Sequence, residues 1–522
     1  MAEAPDREDS AAADLTVTRE GLSKVDIDRT SPRPRRATGD GRRATGCNPA
    51  PAARMTTVRP IIGPTAYAAD MSNAATDGAS PVPRSAADPT AGKGRRGQVA
   101  AWGLWDWGSS GFNTVIVTFV FSVYLTGTVG KHLPGPLTAS TWYGISIGVA
   151  GLLIAVLAPV TGQQADAGGH RRRSLAIFSA LVAVSIVALF WVRNDYSYFF
   201  LGAALIGVGS IFFEIGAVFY NSMLRQISTP ANIGRISGFG WSMGYFGGIF
   251  LLLFCYFGFI SGDGDTRGFF GVSTAGGFNI RIIAIVAAVW FSVFALPVLR
   301  TVPEVAPGPR QRRLPFLAAY RLLFRDLARL FRQDRQSAQF LVASAIFRDG
   351  LAGIFHFGAI LAGTVYGIPA GSVLIFGVAA NIFAAFGALI SGRFDDRLGP
   401  KKVIVLSLVG LLVSGVTVMF LSGPTAFWIF GLLLCLFVGP AQSASRTFLA
   451  RLTTPGNEGQ MFGLYATTGR AVSFLSPLLF AAFVAAFGAD RAGIAGILLV
   501  LALGLVLLLR VDRPTDRAVI TS

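Results

Sequence analysis

The sequence of 522 residues has few of the residue types that build most catalytic and metal sites. It contains only 3 cysteines and 3 histidines, and charged residues make up 14% of the chain. Cys47, Cys255 and Cys435 form no C-x-x-C pair, so neither a disulfide framework nor a metal site is indicated. There is no H-E-x-x-H motif, no Ser/His/Asp set and no Walker sequence. These absences predict a protein that is not an enzyme, needs no cofactor and is not driven directly by ATP.

The N-terminal region lacks the apolar run of a cleavable secretory signal. Residues 1–98 are rich in Ala, Pro, Arg and Asp and show no apolar periodicity. Such a composition does not form a packed core, so we predict a disordered tail. A second, short tail is expected at residues 512–522.

Apolar residues are abundant, at 52% of the chain, and they occur in long runs. A run of about 20 residues crosses a hydrocarbon core of roughly 30 Å as a helix. Because lipid offers no hydrogen-bond partners, these runs predict an all-α membrane protein with twelve transmembrane helices. The predicted spans are 105–128, 140–161, 174–192, 197–222, 236–260, 279–299, 338–364, 372–391, 403–421, 425–445, 462–487 and 492–510.

The net charge of +17 is distributed unevenly among the loops between these spans. Alternate loops hold only isolated basic residues, such as Lys131 and Arg267, whereas the others hold clusters such as Arg171, Arg172 and Arg173. This asymmetry follows the positive-inside rule if both termini are cytoplasmic. The basic excess therefore indicates a bilayer partner and membrane topology, and we expect no nucleic-acid partner.

The spans fall into two sets of six. We expect an N-terminal half at 99–299, a linker at 300–337 and a C-terminal half at 338–511. Aromatic and leucine residues of the linker recur at helical spacing opposite a row of arginines. This pattern predicts an amphipathic basic helix on the inner leaflet, although a plain linker helix between the halves fits equally well.

A polar motif recurs in the two halves. "GQQADAGGHRR" follows the second span, and "GRFDDRLGPKK" follows the eighth with the same G-x-x-x-D-x-x-G-x-[RK]-[RK] spacing. A second echo links "LRQISTPANIGRISG" with "LARLTTPGNEGQMFG". Two such matches in the same order predict a duplicated six-helix unit. The repeated positions of the first motif are Gly162, Asp166, Gly169, Arg171 and Arg172, and then Gly392, Asp396, Gly399, Lys401 and Lys402.

Two six-helix halves with this motif resemble the major facilitator superfamily. "AWGLWDWGSSGFNTVIVTFVFSVYL", "RDGLAGIFHFGAI" and "GPAQSASRTFLARLTTPGNEGQMFGLY" are similar to the autophagy-related vacuolar effluxer group and its bacterial relatives. Ser109 stands where many relatives have an asparagine, which puts a substrate role at that position in doubt. The resemblance implies alternating access around a midplane cavity and efflux of small solutes, with amino acids suggested by the eukaryotic relatives.

The repeated motif also predicts a conformational latch. Asp166 and Asp396 can each lie at a helix N-terminus or pair with an arginine, and their glycines permit a tight turn. Such a charge contact can hold the two halves in one conformation and release them in another. A static loop held by lipid headgroups is the alternative. We add Arg446 to the latch, with a helix-end cap as its alternative role.

Ionisable residues inside the predicted spans indicate a solute pathway, because each is costly in lipid. Most lie in spans that line the central cavity of the superfamily. Glu214 or Asp349 could pair with Arg470 across the halves, and Asp349 and His356 could carry protons. Structural ion pairs, caps and aromatic packing are the alternatives. The predicted pathway residues are Asp106, Glu214, Asn221, Trp241, Asp349, His356, Gln442 and Arg470.

These features predict a secondary transporter for a small solute, with protons as a second cargo. A polyspecific drug or metabolite exporter and a membrane sensor or scaffold without transport activity are the alternatives. The protein is expected in the cell membrane if it is bacterial and in the vacuolar membrane if it is eukaryotic. The sequence does not determine the oligomeric state, and a monomer is the simplest expectation.

Overall fold

The computed structural model describes residues 89–304, Arg321, Arg325, Arg332 and residues 334–512. The predicted disordered tail lies outside the described residues except for residues 89–98, which are helical, so the prediction of disorder is wrong for this part. Most of the predicted linker helix and residues 513–522 also lie outside the described residues. The described residues belong to one compact unit. They contain twelve helices that are long and apolar enough to cross a membrane.

The first six spans are built from eight α-helices. The first span begins with one helix, continues through a π-helical segment at Gly111–Phe119 and ends with a second short helix. Two short antiparallel strands, β1 (Thr266–Arg267) and β2 (Val272–Ser273), pair between the fifth and sixth spans. The helices are α1 (Pro89–Ser110), α2 (Phe121–Gly127), α3 (Ala139–Gly168), α4 (Arg171–Ala188), α5 (Phe199–Ser222), α6 (Leu224–Ile227), α7 (Ile233–Cys255) and α8 (Phe278–Thr301).

The last six spans are built from seven α-helices. The eleventh span is interrupted by a short non-helical stretch after Ala471, so it consists of two helices in series. The helices are α9 (Arg335–Thr364), α10 (Ala370–Leu398), α11 (Pro400–Phe420), α12 (Pro424–Leu452), α13 (Glu458–Ala471), α14 (Leu475–Phe487) and α15 (Ala492–Leu509). The prediction of an all-α membrane protein with twelve spans is confirmed.

Local sequence signals determine where several of these helices begin. The Thr138 hydroxyl accepts a hydrogen bond from Thr141 N at 3.2 Å before α3, and Asp334 accepts one from Ser337 N at 3.3 Å before α9. Each bond satisfies a backbone donor that has no partner within its helix. Pro400 and Pro424 begin α11 and α12, where a missing N–H costs nothing.

The observed spans are longer than the predicted ones at the end that carries Asp166, Asp396 and Glu458, which we call the latch end. The polar residues after the predicted second span continue α3 to Gly168, and those after the predicted eighth span continue α10 to Leu398. The prediction that both motifs are loops is therefore wrong for their first halves. Polar residues can continue a helix here because they pack against the other half of the protein.

The two halves meet along two pairs of helices. Helix α3 of the N-terminal half packs along α13 of the C-terminal half, and α7 packs along α10. Within the N-terminal half, the Tyr220 ring stacks between Trp102 at 4.4 Å and Trp105 at 4.3 Å. This aromatic stack fixes α1 against α5 and so positions Asp106, the residue after Trp105.

Close packing of α10 against α12 depends on a glycine, which gives a first prediction. A Cβ at Gly387 would lie 2.0 Å from the backbone oxygen of Leu436. We expect Gly387→Ala to lower the thermal unfolding midpoint measured by tryptophan fluorescence, because moving apart two packed helices costs about 1–3 kcal/mol. Gly363→Ala is the matched control, since a Cβ there would meet no atom within 4 Å. An equal effect of both changes would contradict the prediction.

Candidate functional site

A polar cavity of about 340 Å³ lies between the two halves. It is lined by residues of α1, α5 and α7 from the N-terminal half and of α9, α10, α12 and α13 from the C-terminal half. Thr114, in the π-helical segment of the first span, also lines it. Segments of π-helix are frequent at functional sites because they shift side chains out of the regular register. The predicted pathway residues that line the cavity are Asp106, Glu214, Asn221, Trp241 and Gln442.

Arg446 connects α12 to three helices of the other half. Its Nη1 lies 3.5 Å from Asp106 Oδ2 on α1 and donates to Asn221 Oδ1 on α5 at 3.1 Å. On α7, its Nε donates to the Ser237 hydroxyl at 3.0 Å and its Nη2 to the Ser237 carbonyl at 2.6 Å. Asp106 Oδ2 also accepts a hydrogen bond from the Tyr220 hydroxyl at 2.8 Å. This buried charge is therefore fully engaged across the interface between the halves.

The placement of Arg446 excludes one of its two predicted roles. It lies in the interior of α12, which continues to Leu452, so a helix-end cap is wrong. It lines the polar cavity and joins the halves there, so its predicted role in holding the halves together stays a prediction. Its guanidinium lies 4.8 Å from the Trp102 ring and 5.6 Å from the Trp241 ring. Aromatic faces attract a cation, so these rings add to the stability of the buried guanidinium.

A second ion pair joins the halves beside the cavity. Arg470, in the last turn of α13, pairs with Glu214 of α5. The two side chains are 31% and 30% exposed, so this pair is accessible to water, unlike Arg446 at 5%. Of the two carboxylates predicted to pair with Arg470, the structure brings Glu214 to it.

Asp349 and His356 do not line the cavity. Asp349 is buried, and its Oδ2 accepts a hydrogen bond from Ser476 N at 2.6 Å, in the first turn of α14. The break in the eleventh span creates this helix start, and Asp349 satisfies one of its backbone donors. His356 is exposed, and its Nδ1 lies 2.8 Å from the Ala352 carbonyl. Their grouping with the residues of the solute pathway is therefore not supported by the geometry.

The cavity also contains residues outside the predicted pathway set. Arg348 lies 3.8 Å from the centre of the Tyr465 ring and donates to the Tyr465 carbonyl at 3.2 Å. No carboxylate in the described part of the chain forms an ion pair with it. The presence of Arg348 inside a predicted span was the signal in the sequence that could have identified it. Asn381 is uncharged and carried no signal that separates it from other polar residues, whereas Tyr245 lies one helical turn after Trp241 and shares its face.

At the latch end, Asp166 joins α3 to the start of α13. Its Oδ2 accepts a hydrogen bond from Gln460 N at 2.9 Å, and its Oδ1 lies 2.7 Å from Arg171 Nη2. The same Arg171 Nη2 lies 2.7 Å from Glu458 Oε2 in the other half. Asp166 therefore occupies a helix N-terminus and pairs with an arginine at the same time. Sequence reasoning missed Glu458, which lies in a polar stretch between two predicted spans.

Asp396 makes the matching contact on the other side of the bundle. Its Oδ1 accepts a hydrogen bond from Gly234 N at 2.7 Å, at the start of α7, and its Oδ2 lies 2.7 Å from Arg235 Nε. The two motif aspartates therefore make equivalent contacts with the two echoed helix starts. Both contacts cross from one half to the other.

The motif glycines have two different roles. Gly162 and Gly392 lie inside helices, where a Cβ would meet the Gly459 carbonyl oxygen at 2.1 Å and the Gly234 carbonyl oxygen at 2.8 Å. They permit the close approach of two helices, so the predicted tight turn is wrong for this pair. Gly169 and Gly399 follow the helices with φ of +67° and +85°, which favour glycine.

The remaining basic residues of the motif act within their own half. Arg172 N donates to Glu304 Oε2 at 2.9 Å, just after α8. Lys401 Nζ donates to the Leu509 carbonyl at 3.1 Å, at the end of α15. Each residue therefore connects the third membrane span of its half with the sixth. Lys402 is exposed. The prediction that these three residues contact the opposite half is not supported by the geometry.

Known proteins match the chain in sequence. A family profile described as "Vacuole effluxer Atg22 like" matches residues 128–518. The uncharacterised MFS-type transporter YxiO of Bacillus subtilis is 22% identical over 419 residues, which cover 80% of this chain and 96% of that protein. Autophagy-related protein 22-1 of Aspergillus fumigatus is 26% identical over 306 residues, which cover 53% of this chain and 48% of that protein. The chain thus matches about half the length of this fungal relative.

Solved structures match the chain in fold. The proton:xylose symporter XylE aligns with a TM-score of 0.63 at 12% identity and covers 81% of this chain and 97% of its own. The human organic anion transporter MFSD10 aligns with a TM-score of 0.61 at 15% identity and covers 79% and 99%. At these identities the likeness establishes the major facilitator fold and nothing about the solute.

The Arg446–Asp106 pair predicts strong coupling between a buried charge and a half-buried one. We expect Asp106→Asn and Arg446→Gln each to lower the thermal unfolding midpoint, because each leaves the other charge without its ionic partner. The double variant should lose less free energy of unfolding than the sum of the losses in the two single variants, with a coupling energy of about 1–3 kcal/mol. Arg491→Gln is the control partner, since Arg491 lies outside the cavity and donates to the Ser422 hydroxyl. Additive effects of Asp106→Asn and Arg446→Gln would contradict the prediction.

The Arg171 cluster predicts that one carboxylate controls separation of the halves at the latch end. We expect Glu458→Gln to increase the ratio of open to closed molecules by about tenfold or more, because it removes a buried ion pair between the halves. The ratio can be measured by electron spin resonance distances between labels at the exposed positions Arg173 and Thr454. The control Asp195→Asn changes an exposed carboxylate whose side chain accepts from the nearby Ser197 N. An unchanged distance distribution in Glu458→Gln would rule out this role.

Proposed function

The chain belongs to the family of vacuole effluxer Atg22-like proteins within the major facilitator superfamily, and we propose that its polar cavity is the solute site of an alternating-access exporter. Transport is the activity of this superfamily, whereas the site, the solute and the direction are our proposal. The observation that carries it is the meeting of charged side chains from both halves in one cavity. Charges in that position are costly in lipid unless they border a polar pathway.

The ion pairs of the cavity are well placed to couple solute binding to movement of the halves. Arg446 with Asp106 and Arg470 with Glu214 both cross the interface. A solute that carries an amine and a carboxylate can compete for these groups and replace the contacts that a change of conformation breaks. The Glu214–Arg470 pair is the more accessible one, so we propose it as the pair that exchanges with solute.

Two further groups support recognition of a carboxylate. Arg348 lines the cavity without an ionic partner among the described carboxylates. Trp241 lines it too, and its Nε1 is buried without a hydrogen-bond partner in the described part of the structure. A buried donor without a partner costs about 1–3 kcal/mol, which a bound acceptor would recover. Both donors suit an anionic group.

An apolar cavity of about 380 Å³ adjoins the polar one. Thr114 and Asn381 line both, and the remaining walls of the apolar cavity include Leu252, Ile354 and Phe376. Each volume lies within the range of about 300–1,000 Å³ that is usual for ligand sites. A solute with a charged end and an apolar body fits this combination, so amino acids with apolar side chains are our first candidates.

A polyspecific exporter is the second candidate function. The aromatic lining of the polar cavity, with Trp105, Phe213, Trp241 and Tyr245, would suit flat organic cations or drugs. The two carboxylates of the cavity are already paired with arginines, which makes it less suited to a permanent cation than to a zwitterion. We therefore place amino-acid export first.

The latch contacts suggest how the cavity is closed at one end. Asp166 and Asp396 join the halves along both interfaces. We propose that these contacts stabilise the conformation seen here and separate when the cavity opens toward the latch end, which we take to be cytoplasmic. Protons remain the proposed second cargo.

Transport of labelled leucine into proteoliposomes tests the proposal. We expect Glu214→Gln and Arg470→Gln to reduce uptake at least about tenfold, because each removes one charge of an ion pair that exchanges with solute. Arg281→Gln is the matched control, since this intramembrane arginine lies outside the cavity and donates to the Phe190 carbonyl. A pH gradient imposed in parallel shows whether protons move with the solute.

A cationic dye assayed in the same vesicles separates the two candidate functions. Transport of leucine that is lost in the Glu214 and Arg470 variants supports amino-acid export. Transport of the dye without leucine would favour the polyspecific exporter. Full leucine transport by both variants would overturn the proposed role of the cavity pair.

A further inference from the structure

A groove at the latch end combines basic and apolar residues and plays no part in the proposed transport site. It has a volume of about 580 Å³ and lies between the start of α1 and the start of α7. Arg95, Arg96 and Arg235 line it together with the apolar side chains of Val99, Ile236 and Phe239. Neither Arg95 nor Arg96 forms an ion pair with a described carboxylate. The groove therefore carries an excess of positive charge beside an apolar surface.

The groove lies where two membrane spans begin. The first span starts at Arg95 and the fifth at Ile233. Residues at the start of a span lie at the level of the lipid headgroups, and apolar residues one or two turns further lie beside the acyl chains. Val99, Ala100 and Phe239 occupy such positions after Arg95 and Ile233. The order of basic and then apolar residues thus follows the order of headgroup and chain in one leaflet.

We propose that this groove binds an anionic phospholipid, with its phosphate at Arg95, Arg96 and Arg235 and an acyl chain on Val99, Ile236 and Phe239. Basic pockets between transmembrane helices favour anionic headgroups through charge. Arginine suits a phosphate because its planar guanidinium can donate two parallel hydrogen bonds to phosphate oxygens. Arg95 and Arg96 are exposed, so their guanidinium groups can turn toward a headgroup.

The groove is connected to the contact between the halves through Arg235. This residue lines the groove, and its Nε also lies 2.7 Å from Asp396 Oδ2 on α10. A phosphate bound beside Arg235 offers the same guanidinium a second anion. The lipid composition of the leaflet would then influence the strength of the α7–α10 contact.

Native mass spectrometry of the full-length protein in detergent tests the proposal. The probes are a dioctanoyl phosphatidylglycerol, the matching phosphatidylcholine and inorganic phosphate. We expect the wild-type protein to retain the phosphatidylglycerol at concentrations about tenfold lower than the phosphatidylcholine, and to retain no phosphate. Arg95→Gln/Arg96→Gln should abolish this difference.

Two further variants separate the contributions of charge and chain. Arg173→Gln/Arg397→Gln removes two exposed arginines at the same end but outside the groove, and it should keep the preference for phosphatidylglycerol. Ala100→Trp fills the apolar part while keeping all three arginines, and it should also weaken binding of phosphatidylglycerol about tenfold. Thermal unfolding confirms that each variant is folded before binding is compared.

Three results would overturn the proposal. Equal retention of the two lipids by the wild-type protein would show that charge is not recognised. An unchanged preference in Arg95→Gln/Arg96→Gln would place the lipid elsewhere. Binding of inorganic phosphate as tight as that of phosphatidylglycerol would show a site for a free anion instead of a lipid.

Discussion

Pairing of buried charge across the interface between the halves is the constraint on which the rest of the structure depends. Arg446, Asp106, Glu214 and Arg470 lie in helices that face one another, and each ionic partner belongs to the opposite half. The Arg446 side chain is 5% exposed, so leaving this charge without a partner would cost several kcal/mol. The halves therefore cannot separate at the cavity without water, solute or new partners for these groups. This requirement links the chemistry of the cavity to the movement of the helices.

The duplication of the chain places a second set of charges under the same constraint. Asp166 and Asp396 each bind the backbone N–H groups at the start of a helix in the other half, where the helix dipole favours a negative charge. Glycines at Gly162 and Gly392 bring the helix backbones close enough for these contacts. At the cavity and at the latch end alike, charged side chains of one half are bound by groups of the other half. Both rely on contacts that cross the interface.

Much of the fold could be predicted from the sequence because the apolar runs are long and the polar motif is repeated. The helix ends could not be predicted, since the polar residues from Gly162 to Gly168 continue α3, which packs on α13 of the other half. The site was predictable in part, because intramembrane charge is rare and hence conspicuous. The direction in which each side chain points was not predictable, because it depends on the rotation of the helix about its axis. Asp349 binds the start of α14, while its neighbour Arg348 lies in the cavity. Glu458 lay outside every predicted span and so carried no such signal.

The two sides of the latch differ in strength, and this difference bears on the order in which the halves would separate. On the α3–α13 side, the Arg171 and Asp166 side chains are 5% and 1% exposed, and Glu458 completes a buried triad. On the α7–α10 side, Arg235 is 56% exposed, so its bond to Asp396 is screened by water. Exposed ion pairs contribute up to about 1 kcal/mol, whereas breaking a buried one costs about 3–5 kcal/mol. Separation is therefore expected to begin along α7 and α10, the side on which Arg235 also borders the basic groove.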